Sequence, residues 1–240
     1  MNGAGKIWII GDSHIGLGPG DERKINAWID RLEARRPMAL YMNGDVFHYF
    51  IGNSKFFTPA VEGFLARLRA LRESGVAVVW IEGNRDFFLR GSAAEEAVTR
   101  VVDFEAIRAG DRSYYVVHGD MINDRDWPYR FWRAFSKNSL MKLAVKLVPR
   151  GIARKIVDRV EKKLAMSNFK HKRVLPTGEM LAYGEARAKQ GFDAVVLGHF
   201  HQKLLLPETA PRVIVLPAWF DGGEALTIDA ETGAWAFESV

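Results

Sequence analysis

The chain has 240 residues, no cysteine, and a formal net charge of +5 with a pI near 9.4. That length fits one large domain, or one domain carrying an inserted subdomain. The missing cysteines exclude disulfides, thiolate nucleophiles and sulfur-ligated zinc, while the basic balance favours an anionic partner: nucleic acid, a phosphate-bearing metabolite or an anionic membrane surface.

In chain order, residues 6–10 read as a short apolar strand reached without any signal-peptide pattern, which fits a cytoplasmic location. Residues 22–35 follow as a helix with Ile25, Trp28, Ile29 and Leu32 on one face. The next strand is 39–44, and Pro59 then opens a helix on which Val61, Phe64, Leu65, Leu68 and Leu71 continue to Ser74-Gly75. A third strand, 76–81, is rich in β-branched residues. Strands alternating with helices at this spacing imply an α/β fold with parallel pairing, whose ligands lie beyond the carboxyl ends of the strands. A helix at 92–100 precedes short strands at 101–107 and 113–117, joined through Gly110-Asp111, a hairpin signal that implies a second sheet. From Trp127 to about Lys172 there is no strand pattern; helices broken near Ser136 to Ser139 and at Pro149-Arg150-Gly151 read as an inserted lid. The core resumes with a helix at 178–190, a buried strand at 194–197 and closing strands at 213–216, 225–228 and 235–237. The expected division is 1–126 and 174–240 for the core and 127–173 for the lid. No apolar run is long enough to span a bilayer.

A hydrophobic run at 41–47 stops on Gly44-Asp45, and the rest of the chain is organised around that ending. It recurs at Gly11-Asp12 and Gly119-Asp120, with variants at Gly83-Asn84 and Gly198-His199. Five such strand ends imply one shared site. Asp12 and His14, like His199 and His201, are two residues apart, a spacing that in extended backbone directs both side chains to the same side. Each feature alone also has an ordinary explanation, such as a turn aspartate, a surface histidine, or a helix cap at Asp45. Together Asp12, His14, Asp45, Asn84, His118, His199 and His201 form a mixed oxygen and nitrogen set suited to Mn²⁺ or a similar divalent ion. Seven ligands exceed one tetrahedral shell and suffice for two larger shells sharing a carboxylate, a pair that activates water and neutralises a phosphoryl group in transfer.

The order Asp-x-His, Gly-Asp, Gly-Asn-Arg-Asp, His-Gly-Asp, Gly-His-x-His resembles the calcineurin-like metallophosphoesterases over nearly the whole chain. The resemblance implies a four-layer αββα sandwich, two mixed sheets flanked by helices, with the helical lid inserted. It also implies one metal on Asp12, His14, Asp45 and His201 and a second on Asp45, Asn84, His118 and His199, with Asp45 bridging. Many members carry histidine after the asparagine, where this chain has Arg85. Arginine binds phosphate well but is a poor proton donor. An alkoxide, whose conjugate acid has a pKa of about 15, needs a proton far more than a phosphate whose second pKa is about 6. Arg85 therefore argues for a pyrophosphate bond.

The run from Gly83 to Phe87 looks like the form found in the UDP-2,3-diacylglucosamine pyrophosphohydrolases of lipid A synthesis. That resemblance implies hydrolysis to UMP and 2,3-diacylglucosamine 1-phosphate, with two divalent ions, by a protein touching the cytoplasmic face of the inner membrane. A lipid-linked nucleotide sugar is then the substrate and nucleic acid is not a partner. Asn84, Arg85 and His199 would touch it, together with Asp126, Tyr129 and Arg133, whose spacing matches substrate-facing residues of the family. Asn168 matches a lid asparagine, whereas His171 stands at the family's lysine, leaving Lys170 and Lys172 beside it for that role. Asn53-Ser54-Lys55 departs from the acidic run that often follows the second block. The lid's Trp127, Phe131, Trp132, Phe135, Leu140, Met141, Leu143, Ala144, Leu147 and Val148 either pack onto the sandwich or line an acyl-chain groove. Basic residues with interleaved aromatics also suit single-stranded nucleic acid. Another nucleotide-linked pyrophosphate or a nucleic-acid phosphodiester is thus the alternative substrate. His48 reads as structural, and Asp86 and Asp120 as supports behind the ligands.

Overall fold

Alternation along the first strand sets the layering. The computed structural model describes residues 5–165 and 175–239. In β1 (Lys6–Ile10), Ile7 and Ile9 enter one core while Trp8 and Ile10 enter another, the period-two consequence of the pleat. Trp8 and Ile10 share theirs with the stripe Ile25, Trp28, Ile29 and Leu32 of α1 (Asp21–Ala34). β2 (Ala39–Asn43) repeats the division, with Leu40 and Met42 on the helix side and Ala39 and Tyr41 on the other. After β3 (Phe50–Ile51) and a 3₁₀ turn at Ser54–Phe56, Thr58 caps and Pro59 opens α2 (Pro59–Glu73). Phe64, Leu65 and Leu68 of that helix share the core of Val78 and Trp80 from β4 (Ala77–Ile81). Each such buried side chain contributes about 1.5–3 kcal/mol relative to exposure.

β5 (Asp86–Phe87) pairs with β3, and α3 (Ala93–Ala97) follows. The helix expected to reach position 100 stops at Ala97, because Thr99 is drawn into the sheet: its hydroxyl accepts from Val78 N at 3.0 Å and its own N–H donates to Val78 O at 2.7 Å. The single strand expected over 101–107 is two strands in different sheets. β6 (Arg100–Val102) pairs with β4, and β7 (Phe104–Ala109) forms the expected hairpin with β8 (Arg112–Val117). Three helices follow with breaks where the sequence places them: α4 (Trp127–Ser136), α5 (Ser139–Leu147), capped by Asn138, and α6 (Arg150–Ala165). The chain closes with α7 (Thr177–Ala188), β9 (Ala194–Leu197), β10 (Leu204–Leu206), β11 (Val213–Val215), α8 (Trp219–Gly222), β12 (Glu224–Asp229) and β13 (Trp235–Ser239).

One sheet runs β13-β12-β1-β2-β4-β6 and the other β10-β11-β9-β8-β7. Ile7, Ile9, Tyr41, Val79 and Ile81 of the first meet Ile107, Tyr114, Val116, Val196 and Ile214 of the second in one core. The outer face of the second sheet, through Tyr115, Val195 and Leu197, shares a core with Met180 and Tyr183 of α7. The expected αββα order of four layers is therefore present. The α4–α6 segment rests on a small cluster in which Val145, Val148, Ala153, Ile156 and Val157 meet Ile51 and Phe56. Most of its other large apolar side chains stay on the surface: Trp127, Phe131, Trp132, Phe135, Leu140, Leu143 and Leu147 are all exposed. Packing onto the sandwich does not account for those seven.

Candidate metal centre

Strand register brings the ligand-bearing loops level. Ile10 pairs with Met42, Asn43 with Ile81, and Val117 with Leu197, all in parallel. The carboxyl ends of β1, β2 and β4 thus lie on one edge of the first sheet, and those of β8 and β9 on one edge of the second. Asn43 stitches the two edges: its Nδ2 donates to Val117 O at 3.1 Å, and its carbonyl accepts from His118 Nδ1 at 2.8 Å. That bond makes Nδ1 the protonated nitrogen of the neutral ring and leaves the Nε2 lone pair for a cation. A Cβ at Gly44 would overlap the His118 ring, so the strand end must be glycine.

The extended geometry expected for the Asp12/His14 and His199/His201 pairs is not the one adopted. Asp12, His14, His199 and His201 have φ of 51°, 43°, 67° and 58°, and Asp45 joins them at 50°. These are left-handed conformations that cost non-glycine residues roughly 1–3 kcal/mol each and cluster at functional sites. Each side chain is aimed by a local reversal of the backbone. Buried hydrogen bonds hold the turns: Asp12 N donates to Gly44 O, His14 N to Asp45 O, and His199 N to Asp12 Oδ2 at 2.7 Å.

The resulting donors form two groups. Asp12, His14 and His201 converge, with His14 Nε2 and His201 Nε2 3.2 Å apart and Asp12 Oδ1 lying 3.3 Å from His201 Nε2 and 3.8 Å from His14 Nε2. In the other, Asn84 Oδ1 lies 3.1 Å from His118 Nε2 and 3.0 Å from His199 Nδ1, while Asp45 Oδ1 is 3.6 Å from His118 Nε2. Neighbouring ligands around an octahedral ion with bonds of about 2.1 Å sit about 3 Å apart, so both groups have the spacing of a coordination shell. Asp12 Oδ1 is buried without a regular hydrogen bond among the described residues, as a ligand atom would be. The residues therefore fit a divalent pair. Asp12 belongs with both groups, to the second through Asp45 and His118.

Electrostatics agree. Burial pushes the Asp45 carboxyl up to about 7 against the pull of His118, which marks a charge that a cation would stabilise. Burial would also raise Asp12, but the His201 ring against it and the other imidazoles hold it well below the usual carboxylate range. His118, which burial alone would lower, is raised by Asp45, Asp12 and Asp120.

Around this centre, Arg85 reaches Asp45 Oδ2 at 3.6 Å through Nε, and its backbone N–H donates to Asp45 Oδ1 at 2.8 Å. His48, expected to be structural, lies beside the site. It accepts from Arg85 Nη1 at 3.1 Å, and its ring lies 5.6 Å from that of His14. Burial and then the Arg85 charge bring His48 down to about 4, so it is a neutral acceptor at pH 7. Asp86 Oδ2 accepts from Asp45 N, Gly83 N and Trp80 Nε1, tying the β2 and β4 loops together. Asp120 accepts from Tyr129 Oη and, at 2.6 Å, from Arg133 Nε, which holds both lid residues beside the His118 loop. Asp126 caps α4 by accepting from Tyr129 N. Asn168, Lys170, His171 and Lys172 lie outside the described residues.

Two further residues gave no usable signal in the sequence. Phe220 packs its ring 5.4 Å from His14 and 5.6 Å from His201. Lys137 donates from Nζ to Glu82 Oε1, Gly83 O and Asp86 O at 2.6–2.7 Å, bolting the α4–α5 junction to the loop that carries Asn84 and Arg85.

Paired sheets with nitrogen and oxygen donors at their common carboxyl edge define a metal-dependent hydrolase. The chain belongs to the calcineurin-like phosphoesterase family, whose model matches residues 5–203. It is 29% identical over 238 residues to the UDP-2,3-diacylglucosamine hydrolase of Pseudomonas entomophila (strain L48), covering 94% of this chain and 95% of that one. It is also 26% identical over 204 residues to the protein of the same name from Shigella sonnei (strain Ss046), covering 83% and 85%. A dimetal phosphatase from Danio rerio shares the fold at a TM-score of 0.54 and 12% identity, over 97% of this chain and 95% of that one.

Proposed function

We propose that this chain hydrolyses the pyrophosphate bond of UDP-2,3-diacylglucosamine, giving UMP and 2,3-diacylglucosamine 1-phosphate. The observation that carries the reading is the seating of Arg85 against Asp45 at a two-group donor centre, with Tyr129 and Arg133 of the lid held beside it by Asp120. Asp12, His14, Asp45 and His201 would hold one divalent ion and Asp45, Asn84, His118 and His199 the other. Carboxylate, amide and imidazole donors suit Mn²⁺. When bound, such ions neutralise phosphoryl charge and lower the pKa of a nucleophilic water. Arg85 supplies a permanent cation to the phosphate oxygens and no proton, which a phosphate leaving group does not need.

The lipid end has two candidate supports. A narrow apolar cleft of about 80 Å³ is lined by Ile15, Phe47, His48, Phe50, Phe56 and Val157 among others, so it borders the residue that holds Arg85. The exposed lid aromatics and leucines beside Lys146, Arg150, Arg154 and Lys155 suit peripheral contact with the anionic cytoplasmic face of the inner membrane. Among the described residues no helix is long and apolar enough to cross a membrane.

The direct test is Mn²⁺-dependent turnover of UDP-2,3-diacylglucosamine against UDP-N-acetylglucosamine and single-stranded DNA. Release of UMP from the lipid substrate at a kcat/KM at least about a hundredfold above the other two is the expected result. Absent lipid turnover, with efficient cleavage of either alternative, sinks the proposal.

A further inference from the structure

Among the described residues His48 and Phe220 are ring neighbours of His14 outside the ligand set, and they line different clefts. His48 lines the apolar cleft already described. Phe220 lines a larger groove of about 630 Å³ between α1 and α8, bounded by Arg23, Lys24, Ala27 and Arg31 on one side and residues 219–223 on the other. Lys24, Ala27 and Arg31 recur at i, i+3 and i+7 on one face of α1, and the small Ala27 keeps the space between the two cations clear. Arg23, Lys24 and Arg31 are exposed, and no ion pair or side-chain hydrogen bond joins any of them to another described residue. Among the described residues, Asp221 is the one acid lining the groove, against three cations. The far wall is fixed to the metal centre: Trp219 N donates to Gly11 O at 2.9 Å, and Gly11 bridges to Ala218 just before Asp12.

We infer that the α1–α8 groove is the subsite for the nucleoside phosphate half of the substrate. This rests on the pyrophosphate reading above. A molecule with a pyrophosphate between hydrocarbon chains and a nucleotide presents two different ends to a centre flanked by two clefts, one of which is lined by three cations. The hydrocarbon end finds the apolar cleft on the His48 side. The nucleotide end finds the exposed guanidinium and ammonium groups of Arg23, Lys24 and Arg31 as donors to its ribose and base oxygens, and the Phe220 ring for its base. Among the described residues no Lys or Arg lines the apolar cleft, whereas three line the groove.

Calorimetric titration of the Mn²⁺-loaded protein with UMP and, separately, with inorganic phosphate tests this. In the Lys24→Ala/Arg31→Ala double variant, both changes being on the exposed face of α1, the Kd for UMP should rise at least about tenfold while that for phosphate moves less than about twofold. The charge-reversed Lys24→Glu/Arg31→Glu variant should weaken UMP further. The KM for UDP-2,3-diacylglucosamine should rise in parallel. Unchanged UMP affinity, equal weakening of UMP and phosphate, or failure of the wild type to bind UMP each overturns the inference. A wild type that binds UMP through these residues yet does not cleave the lipid substrate leaves the groove assignment standing and removes the pyrophosphohydrolase reading instead.

Discussion

Asp86 is fully buried one residue beyond Arg85, and one of its oxygens takes three hydrogen bonds, from Asp45 N, Gly83 N and Trp80 Nε1. Removing that oxygen leaves three buried donors, each costing about 1–3 kcal/mol, less the desolvation cost of burying the carboxyl itself. Asp86→Ala should therefore lose roughly 2–4 kcal/mol, a fall in Tm of about 5–15 °C for a chain of this size, and should weaken Mn²⁺ binding because the Asp45 loop loses its brace. Asp86→Asn keeps an acceptor and should lose less; equal losses in differential scanning calorimetry would refute the brace. In the proposed reaction Arg85 would act on the substrate rather than on the loop. Arg85→Ala should reduce kcat/KM on the pyrophosphate substrate by about 10²–10³, the scale of one preorganised charge donor, and Arg85→Lys should recover little because the guanidinium fork also reaches His48. A loss under tenfold in steady-state assays would remove Arg85 from the chemistry. At this scale the sequence told which side chains gather but not how they are aimed. Residue types and their order survive in one dimension, whereas the left-handed backbone at Asp12, His14, Asp45, His199 and His201 has no glycine to announce it. The position of His48 is hidden for the same reason: what places it is contact with Arg85, which no spacing encodes.

Among the contacts that join the lid to the core are one small apolar cluster, the Asp120 bonds to Tyr129 and Arg133, and Lys137, whose three ammonium protons find Glu82, Gly83 and Asp86. That side chain is only 11% exposed and Glu82 12%, so Lys137→Met strands a largely buried carboxylate and two carbonyls at a cost of about 3 kcal/mol. The expected outcome is local. Tryptic cleavage within α4–α6 should accelerate severalfold, and KM for the lipid substrate should rise more than kcat falls. An unchanged proteolytic half-life would show that the Lys137 bonds do not seat the lid. Elements long enough to express a period were legible in sequence: the α1 stripe at Ile25, Trp28, Ile29 and Leu32, and the lid breaks at Asn138 and Pro149. β3 and β5, two residues each, and the four-residue α8 are too short for any period to register. The change of sheet at Asp103 was invisible because strand-forming residues flank it on both sides, so only pairing partners distinguish β6 from β7. Lys137 stood at the α4–α5 break without any mark of its bond to the Glu82 loop, which lies more than fifty positions away.

For the molecule as a whole, charge and exposed apolar area point the same way. Trp127 is 74% exposed, Phe131 73%, Leu140 77% and Leu147 72%, and Lys146, Arg150, Arg154, Lys155 and Arg159 are exposed on the same three helices. Burying a large side chain contributes about 1.5–3 kcal/mol, and each Lys or Arg near an anionic surface about 1 kcal/mol. Two or three side chains inserted with several cations at the headgroups would exceed the cost of confining the protein to a surface. The chain should therefore sediment with vesicles of 70:30 phosphatidylcholine:phosphatidylglycerol and much less with neutral ones. Binding should fall as NaCl rises from 50 to 500 mM, since the Debye length shrinks from about 14 to 4 Å. Because the apolar term does not screen, some affinity should persist at high salt in the wild type and vanish in Trp127→Ser/Phe131→Ser/Leu140→Ser. Trp127 offers a second readout, an emission blue shift on vesicle addition, as its ring leaves water. Equal binding to neutral and anionic vesicles would remove the electrostatic half of this argument, and a triple variant that binds like the wild type would remove the lid from it altogether.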